Sequence, residues 1–174
     1  YNTGANTNAI LFNSNSILNS AVNISSTGSY YALYNNAAST ASLQMNGNVY
    51  TANTHAATTG SVHVIYNRGT FTNTFTSASF SANLISNCNF SATSTAPFLG
   101  IYNNGVSCNS LAMTNNSLSA INWQSSTASK FLLYNSAQVF GTFDFNNNLI
   151  EACTATLNTT GNLNGILNTG ACTV

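Results

Sequence analysis

Charged side chains are almost missing from this chain. Only 2% of its 174 residues are Asp, Glu, Lys or Arg, against about 25% in an ordinary soluble protein. The four are Arg68, Lys130, Asp144 and Glu151. Two cations form no basic patch for nucleic-acid phosphates or an anionic membrane surface, and no apolar run approaches the ~18 residues that span a bilayer. We therefore expect no nucleic-acid partner and no membrane insertion.

The same scarcity removes the usual means of catalysis. The two carboxylates, Asp144 and Glu151, lie in a turn-rich segment, and nothing marks them as an acid–base pair. His55 and His63 have no carboxylate or third ligand near them in sequence, so a metal site is not indicated. No G-x-S-x-G motif occurs. We expect a protein that is not an enzyme, with no catalytic residue, no metal and no cofactor.

Apolar residues are plentiful, and a motif that contains them repeats. Hydrophobic residues make up 44% of the chain, which argues against disorder. An aromatic residue or Leu precedes an Asn in six similar segments, and from the second of these anchor asparagines onward they follow one another at nearly constant spacing. The anchors are Asn13, Asn35, Asn67, Asn103, Asn135 and Asn168. Self-similarity at such a period is typical of stacked repeat architectures.

Short segments inside each repeat alternate apolar with small or polar residues. FLGIYN (98–103), SLAMTN (110–115) and SLSAIN (117–122) show this alternation, which predicts strands rather than helices. An apolar residue also recurs at a fixed offset after the anchor, at Leu43, Phe75, Leu111 and Phe143. Asn and Gly between the segments suit sharp corners.

These observations predict an all-β protein, a parallel β-solenoid with about five to six coils of roughly 33 residues and three short strands per coil. Residues 1–174 form a single domain in this interpretation. A β-sandwich or an antiparallel barrel is the alternative, but neither requires such a period.

Stacked coils place equivalent residues directly above one another, which explains the lack of charge. Like charges stacked about 4.8 Å apart would repel one another, whereas an Asn amide both donates and accepts. We therefore predict a structural asparagine ladder at one corner, and we expect the apolar residue before each Asn to point inward. The ladder consists of Asn35, Asn67, Asn103, Asn135 and Asn168.

Four cysteines occur in two pairs with similar spacing. The separation between Cys88 and Cys108 is nearly the same as that between Cys153 and Cys172. Their equivalent phases in the repeat predict disulfides Cys88–Cys108 and Cys153–Cys172, which would indicate an oxidising, extracellular setting. Four buried free thiols are the alternative.

The pattern GIYNNG…SLAMTNNSLSAI…FLLYNSA…FNNNLIEA resembles the Asn-rich right-handed parallel β-helix repeats of secreted bacterial surface proteins. It is most similar to those exported by Bacteroidota, within the pectin-lyase-like fold group, over roughly residues 9–174. The resemblance implies a right-handed coil and a secreted or cell-surface location. Such families include adhesins, stalk-like proteins and polysaccharide-active enzymes; the catalytic Asp and Arg of the enzymes have no counterpart here.

The leading functional hypothesis is an extracellular structural protein: a β-solenoid building block of a fibre, sheath or cell-surface stalk that self-associates end to end. The lack of net charge and of a recognisable capping helix favours it. The alternative is a carbohydrate-binding or adhesive module that contacts a surface polysaccharide, with Trp123 as the candidate glycan contact. A degenerate polysaccharide lyase is a third hypothesis. The chain starts at Tyr1 without a signal peptide, as expected of a processed product.

Overall fold

The structure is a computed structural model that describes residues 1–4, 7–26, 28–39, 41–58, 60–69, 76–90, 97–105, 107–124, 127–156 and 161–173. Its 20 strands fall into five successive groups of four, which we call layers 1 to 5. Layer 1 contains β1 (Ile10–Leu11), β2 (Ser16–Leu18), β3 (Ala21–Ser26) and β4 (Tyr30–Asn35). Layer 2 contains β5 (Ser42–Gln44), β6 (Val49–Thr51), β7 (Thr54–Thr58) and β8 (Val62–Asn67). Layer 3 contains β9 (Ser77–Ser79), β10 (Leu84–Ser86), β11 (Asn89–Phe90) and β12 (Phe98–Asn103). Layer 4 contains β13 (Ser110–Ala112), β14 (Ser117–Ser119), β15 (Asn122–Gln124) and β16 (Lys130–Asn135). Layer 5 contains β17 (Phe143–Asp144), β18 (Leu149–Glu151), β19 (Thr154–Thr156) and β20 (Leu163–Asn168).

Each layer contributes one strand to each of four parallel sheets. Sheet 1 has the order β1-β5-β9-β13-β17, and sheets 2, 3 and 4 stack the second, third and fourth strands of the layers in the same way. Ile10 pairs with Leu43, and Asn135 pairs with Asn168, so equivalent residues one turn apart lie side by side. The predicted parallel β-solenoid is confirmed.

Two details of the prediction need correction. A coil has four strands rather than three. Each sheet has five strands, so about four turns carry the chain from β1 to β17, slightly fewer than the five to six coils predicted. The segment SLSAIN is not a single strand, because Ala120 has a φ of 50° and separates β14 from β15. Alanine seldom adopts this left-handed conformation, so the composition of the segment does not signal the corner.

Left-handed corners recur at two places in every layer. Between sheets 1 and 2 the residues with positive φ are Ser14, Gly47, Ala82, Asn115 and Asn147. Between sheets 2 and 3 they are Asn19, Ala52, Asn87, Ala120 and Ala152. One such residue per corner turns the chain without a long loop, which keeps the coils in register.

The hydrophobic core fills the interior of the coils. Sheet 1 contributes Leu43, Ala78 and Leu111, which lie next to one another in register. Ala78 takes the place expected for Phe75, because the repeat between Asn67 and Asn103 is longer than the others; Phe75 itself lies outside the described residues. Sheet 2 contributes Tyr50, Ile85 and Leu118 in the same manner. In the part of the chain that the structure describes, no helix is long and apolar enough to cross a membrane.

Candidate assembly surface

A continuous ladder of asparagine amides runs along the corner that follows sheet 4. The Nδ2 of Asn35 donates to Oδ1 of Asn67 at 2.8 Å, and the same bond joins Asn67 to Asn103 at 2.8 Å. The bonds from Asn103 to Asn135 and from Asn135 to Asn168 measure 2.9 and 2.8 Å. The structure thus brings together all five asparagines of the predicted ladder. Asn35, Asn67, Asn103 and Asn135 are fully buried.

The anchor Asn13 does not belong to this ladder. It lies at the corner after sheet 1, where its Oδ1 accepts the backbone N–H of Asn46 at 3.0 Å. Asn2 holds the first rung instead and donates to Asn35 Oδ1 at 3.2 Å. The Tyr1–Asn2 dipeptide precedes Tyr34–Asn35 by one full repeat length. That spacing was a better signal than the match at Asn13, which is too close to Asn35 in sequence to lie one coil away.

Each ladder amide also closes its own corner. Asn67 Oδ1 accepts the backbone N–H of Gly69 at 3.0 Å, and Asn135 Nδ2 donates to the carbonyl of Ala137 at 2.9 Å. A Cβ on Gly69 would lie 2.1 Å from the carbonyl oxygen of Ala37 in the layer below. This close approach explains the glycine at position 69, because even the Cβ of an alanine would clash there.

A second asparagine ladder, which the sequence did not lead us to expect, follows the corner before sheet 2. Asn15 Nδ2 donates to Asn48 Oδ1 at 2.9 Å, and the next two bonds, to Asn83 and Asn116, are 3.0 Å each. Asn116 donates to Asn148 at 2.9 Å. The signal was an Asn at the same offset from the anchor at positions 48, 116 and 148. Asn83 does not show this offset, because the repeat that contains it is longer than the others.

Both ladders have the same polarity. Every Nδ2 donor belongs to the lower-numbered layer and every Oδ1 acceptor to the layer that follows. In the second ladder the backbone N–H joins in: the N–H of Asn116 also donates to Asn148 Oδ1, at 3.0 Å. The polar stack therefore has a direction, with donors toward layer 5 and acceptors toward layer 1.

The tyrosines before the ladder asparagines do not point inward as expected. They are not part of the interior hydrophobic cluster but stack on one another in a separate column. Leu132 and Leu133 are both buried in the core, so the alternation breaks there and Tyr134 falls on the other face. Ring centroids are 5.3 Å apart between Tyr34 and Tyr66, 5.1 Å between Tyr66 and Tyr102, and 4.5 Å between Tyr102 and Tyr134. The rings cover one another's faces, which leaves their edges outward.

The predicted disulfides are not formed: Cys88, Cys108, Cys153 and Cys172 are free. Cys88 lies at the corner before sheet 3, where Asn89 pairs with Asn122 and Asn122 with Thr154. Cys153 follows at that corner two layers later. Cys108 pairs with Val139, which pairs with Cys172, at the corner before sheet 1.

The predicted disulfide partners therefore lie at different corners. The similar spacing reflects two stacked columns rather than two bridges. Burial raises the pKa of the Cys108 thiol to about 11, so this thiol stays protonated near neutral pH.

Trp123, the candidate glycan contact, lies in the core. Its side chain is 3% exposed and its ring packs edge-on against Phe98 with the centroids 5.1 Å apart. In sheet 3, Trp123 lies in register with Phe90, and Phe90 lies in register with His55. The carbohydrate-binding alternative loses its candidate residue.

The titratable side chains of the described residues are scattered over the fold. No group of three His, Cys, Asp or Glu residues among them could hold a metal ion. His55 and His63 are both buried, and burial lowers the pKa of each imidazole to about 4. His55 stacks on Phe90 and its Nε2 is hydrogen-bonded to the Tyr50 hydroxyl. His63 stacks against Tyr66.

The two outermost layers differ from the three between them. The strands of layer 1 form one edge of all four sheets and the strands of layer 5 form the other. Large apolar side chains are exposed only in or beside these two layers, as far as the described residues show. On the layer 1 side these are Tyr1, Leu11, Leu18 and Tyr31, and on the layer 5 side Phe140, Leu149, Leu163 and Ile166. We call these two surfaces the layer 1 end and the layer 5 end.

Comparison with known proteins gives no family assignment: no family model, no curated protein and no solved structure matches this chain.

Proposed function

We propose that this protein is an extracellular, non-enzymatic structural protein, a β-solenoid building block whose coils stack end to end in a fibre, sheath or cell-surface stalk. The observation that carries the proposal is the placement of exposed apolar side chains. They gather at the layer 1 end and the layer 5 end, while the large apolar side chains described in layers 2, 3 and 4 are covered. A neighbouring solenoid would cover both ends.

The backbone of the outer strands supports the same function. A parallel strand at a sheet edge presents a row of N–H and C=O groups that another strand can pair with. Both ends here present four such strands side by side. Asn2 pairs with the end of β4 at one of them, and Cys172 pairs with Val139 at the other. Each strand is short, but together they offer a complete coil as a template.

Electrostatics does not oppose such a stack. The chain has a formal net charge of zero, so two copies do not repel each other as highly charged proteins do. Of the four charged residues, Asp144 and Glu151 lie in layer 5. Layer 1 holds neither Asp nor Glu, so no pair of carboxylates arises when the layer 5 end meets the layer 1 end.

The extracellular location and the family relationship belong to this proposal too. With the four cysteines free, disulfides no longer support an oxidising compartment. The support that remains is the Asn-rich repeat itself, with its resemblance to right-handed parallel β-helices of the pectin-lyase-like group in secreted Bacteroidota surface proteins.

Sedimentation velocity over a wide range of concentrations, followed by electron microscopy, tests the proposal. We expect the 174-residue chain to form elongated particles above a threshold concentration. Leu149→Lys places a charge at the layer 5 end and should raise that threshold at least tenfold. Ser117→Lys is the matched control, because Ser117 pairs with Leu149 in register but lies one layer inward. A chain that stays monomeric throughout, or equal effects of the two lysines, would contradict the proposal.

A further inference from the structure

The second asparagine ladder leaves complementary groups at the two ends of the solenoid. Within the chain, the backbone N–H and the Nδ2 of Asn116 both donate to Asn148 Oδ1. Asn148 is the last member among the described residues, and its own backbone N–H and one Nδ2 hydrogen donate to none of them. Its other Nδ2 hydrogen bonds the carbonyl of Met113 at 2.7 Å.

The layer 1 end carries the complementary group, which is the Oδ1 acceptor of Asn15. Asn15 donates its backbone N–H and its Nδ2 to Asn48 Oδ1, at 3.0 and 2.9 Å. Its own Oδ1 accepts no hydrogen bond from the described residues. The layer 5 end therefore presents a pair of donors, and the layer 1 end presents the acceptor that this pair uses everywhere else in the ladder.

We propose that copies of this chain join head to tail, with the layer 5 end of one copy on the layer 1 end of the next, and that Asn148 bonded to Asn15 of the next copy directs the joint. This inference rests on the proposed function and adds the polarity of the assembly. The backbone repeats the internal pattern as well. The N–H of Leu149 donates to the carbonyl of Asn116 at 2.8 Å, and Ser16 of the next copy would donate to the carbonyl of Asn148 in the same way.

The same donors and acceptors disfavour the two face-to-face arrangements of two copies. Two layer 1 ends face to face would oppose two Asn15 oxygens, and two layer 5 ends would oppose two Asn148 donor pairs. Both would also pair the strands antiparallel, out of keeping with the parallel register inside the chain. A head-to-tail contact is heterologous and does not close on itself, so it produces an open filament rather than a dimer.

The joint requires the chain termini to move, because each already extends beyond an outer layer. Asn2 occupies the rung below Asn35, held by its side chain at 3.2 Å and by two backbone bonds at 2.8 and 3.0 Å. In a head-to-tail joint this rung belongs to Asn168 of the other copy, which carries the same amide. The side-chain bond that must break is longer than the internal rungs of 2.8 to 2.9 Å, and the two backbone bonds must be replaced by those of the other copy.

At the layer 5 end the last residues of the chain begin the next coil. Cys172 pairs with Val139, and the backbone bonds from Val139 to Ala171 and from Thr173 to Val139 are 2.9 Å each. In the joint this segment takes the place that leads into β1 of the next copy.

Two variants, each blocked at one end, test the polarity. Asn148→Asp keeps an oxygen for both donors of Asn116 but presents a carboxylate where the free donor was. It also loses the bond to the Met113 carbonyl, so circular dichroism must first show that the variant is folded. Asn15→Leu removes the acceptor oxygen and keeps the backbone bond to Asn48. Asn147→Asp is the matched control for the first variant, because Asn147 is an exposed neighbour outside the ladder. Ser117→Leu is the control for the second, because Ser117 is in register with Leu84 and Leu149 but lies away from both ends.

Sedimentation velocity is measured for each variant alone and for an equimolar mixture. We expect each blocked variant alone to assemble at a threshold at least tenfold above wild type, and the mixture to form particles of twice the monomer mass. The controls should assemble like wild type. Dimers of a blocked variant alone, without a mixed dimer, would mean a face-to-face contact and would overturn the head-to-tail joint. If wild type does not assemble at all, the proposed function fails, and the polarity with it.

Discussion

At the scale of single residues, stability depends on buried amides that bond one another along the ladder. Asn103 has no exposed surface; it accepts from Asn67 at 2.8 Å and donates to Asn135 at 2.9 Å. A buried donor or acceptor left without its partner costs about 1–3 kcal/mol. Removing one rung therefore affects the two rungs beside it as well.

Asn103→Leu should lower the free energy of unfolding by about 3 kcal/mol, because the Nδ2 of Asn67 and the Oδ1 of Asn135 both lose a partner. Urea unfolding followed by circular dichroism measures the change. Asn104→Leu is the control at the next, exposed position and should cost less than about 1 kcal/mol. Equal losses at the two positions would show that the ladder bond itself contributes nothing.

Lys130 has an ionisable side chain that is buried in the folded protein. Its side chain is 2% exposed, it lies in register between Phe98 and Leu163, and its Nζ donates to the carbonyl of Ala128. Burial lowers the pKa of its amine to about 8. In the unfolded chain the amine has a pKa of about 10.4.

Lys130→Met should raise the free energy of unfolding at pH 7 by roughly 1–3 kcal/mol, since the folded state no longer holds a buried ammonium group. Between about pH 8 and pH 10.4 the unfolded wild-type chain binds more protons than the folded one, so wild-type stability rises with pH there. The difference between wild type and Lys130→Met should shrink over this window. Tyrosine ionisation affects both proteins and cancels. A difference that stays constant across the window would contradict the lowered pKa.

At the scale of elements, the corners fix where strands begin and end. Ala52, Ala82, Ala120 and Ala152 adopt φ values of 50° to 56°, a conformation that disfavours a Cβ by about 1–2 kcal/mol. Glycine avoids this cost, as at Gly47, where φ is 64°. The alanines are therefore strained positions in an otherwise regular coil.

Ala120→Gly should raise the free energy of unfolding by about 0.5–1 kcal/mol, because relief of the left-handed strain exceeds the extra entropy of an unfolded glycine. Thermal unfolding measures the effect. Ala112→Gly, in β13, provides the comparison and should lower stability by a similar amount. If both glycines destabilise the protein, the corner at Ala120 does not adopt the left-handed conformation.

The sequence revealed the sheets better than the corners. Apolar alternation in FLGIYN marks β12, and the spacing of the anchors from Asn35 onward gives the repeat. The third strand of the coil was missed. In layers 3, 4 and 5 it has only two or three residues, as in β11 (Asn89–Phe90), which are too few to show alternation. The corner between the second and third strands gave no sequence signal where an alanine adopts the left-handed conformation.

At the scale of the whole molecule, the same stacking that revealed the fold misled two functional interpretations. Regular cysteine spacing suggested bridges, but in a solenoid it also arises when like residues occupy one column, as Cys108 and Cys172 do through Val139. Trp123 is buried by packing against Phe90 and Phe98. The sequence does not show this packing, so Trp123 remained a candidate glycan contact. The sequence could not show that the exposed apolar side chains gather at the two ends, because this requires knowing the layer to which each strand belongs.

The central claim is that the solenoid continues from one copy to the next without interruption. Fibre diffraction from an aligned, concentrated sample of the 174-residue chain tests it most directly. We expect a strong reflection at about 4.8 Å along the fibre axis, because strand pairing inside the chain and across each joint has the same spacing. Alignment without this axial reflection, or a sample that contains only isolated particles at every concentration, would contradict the account.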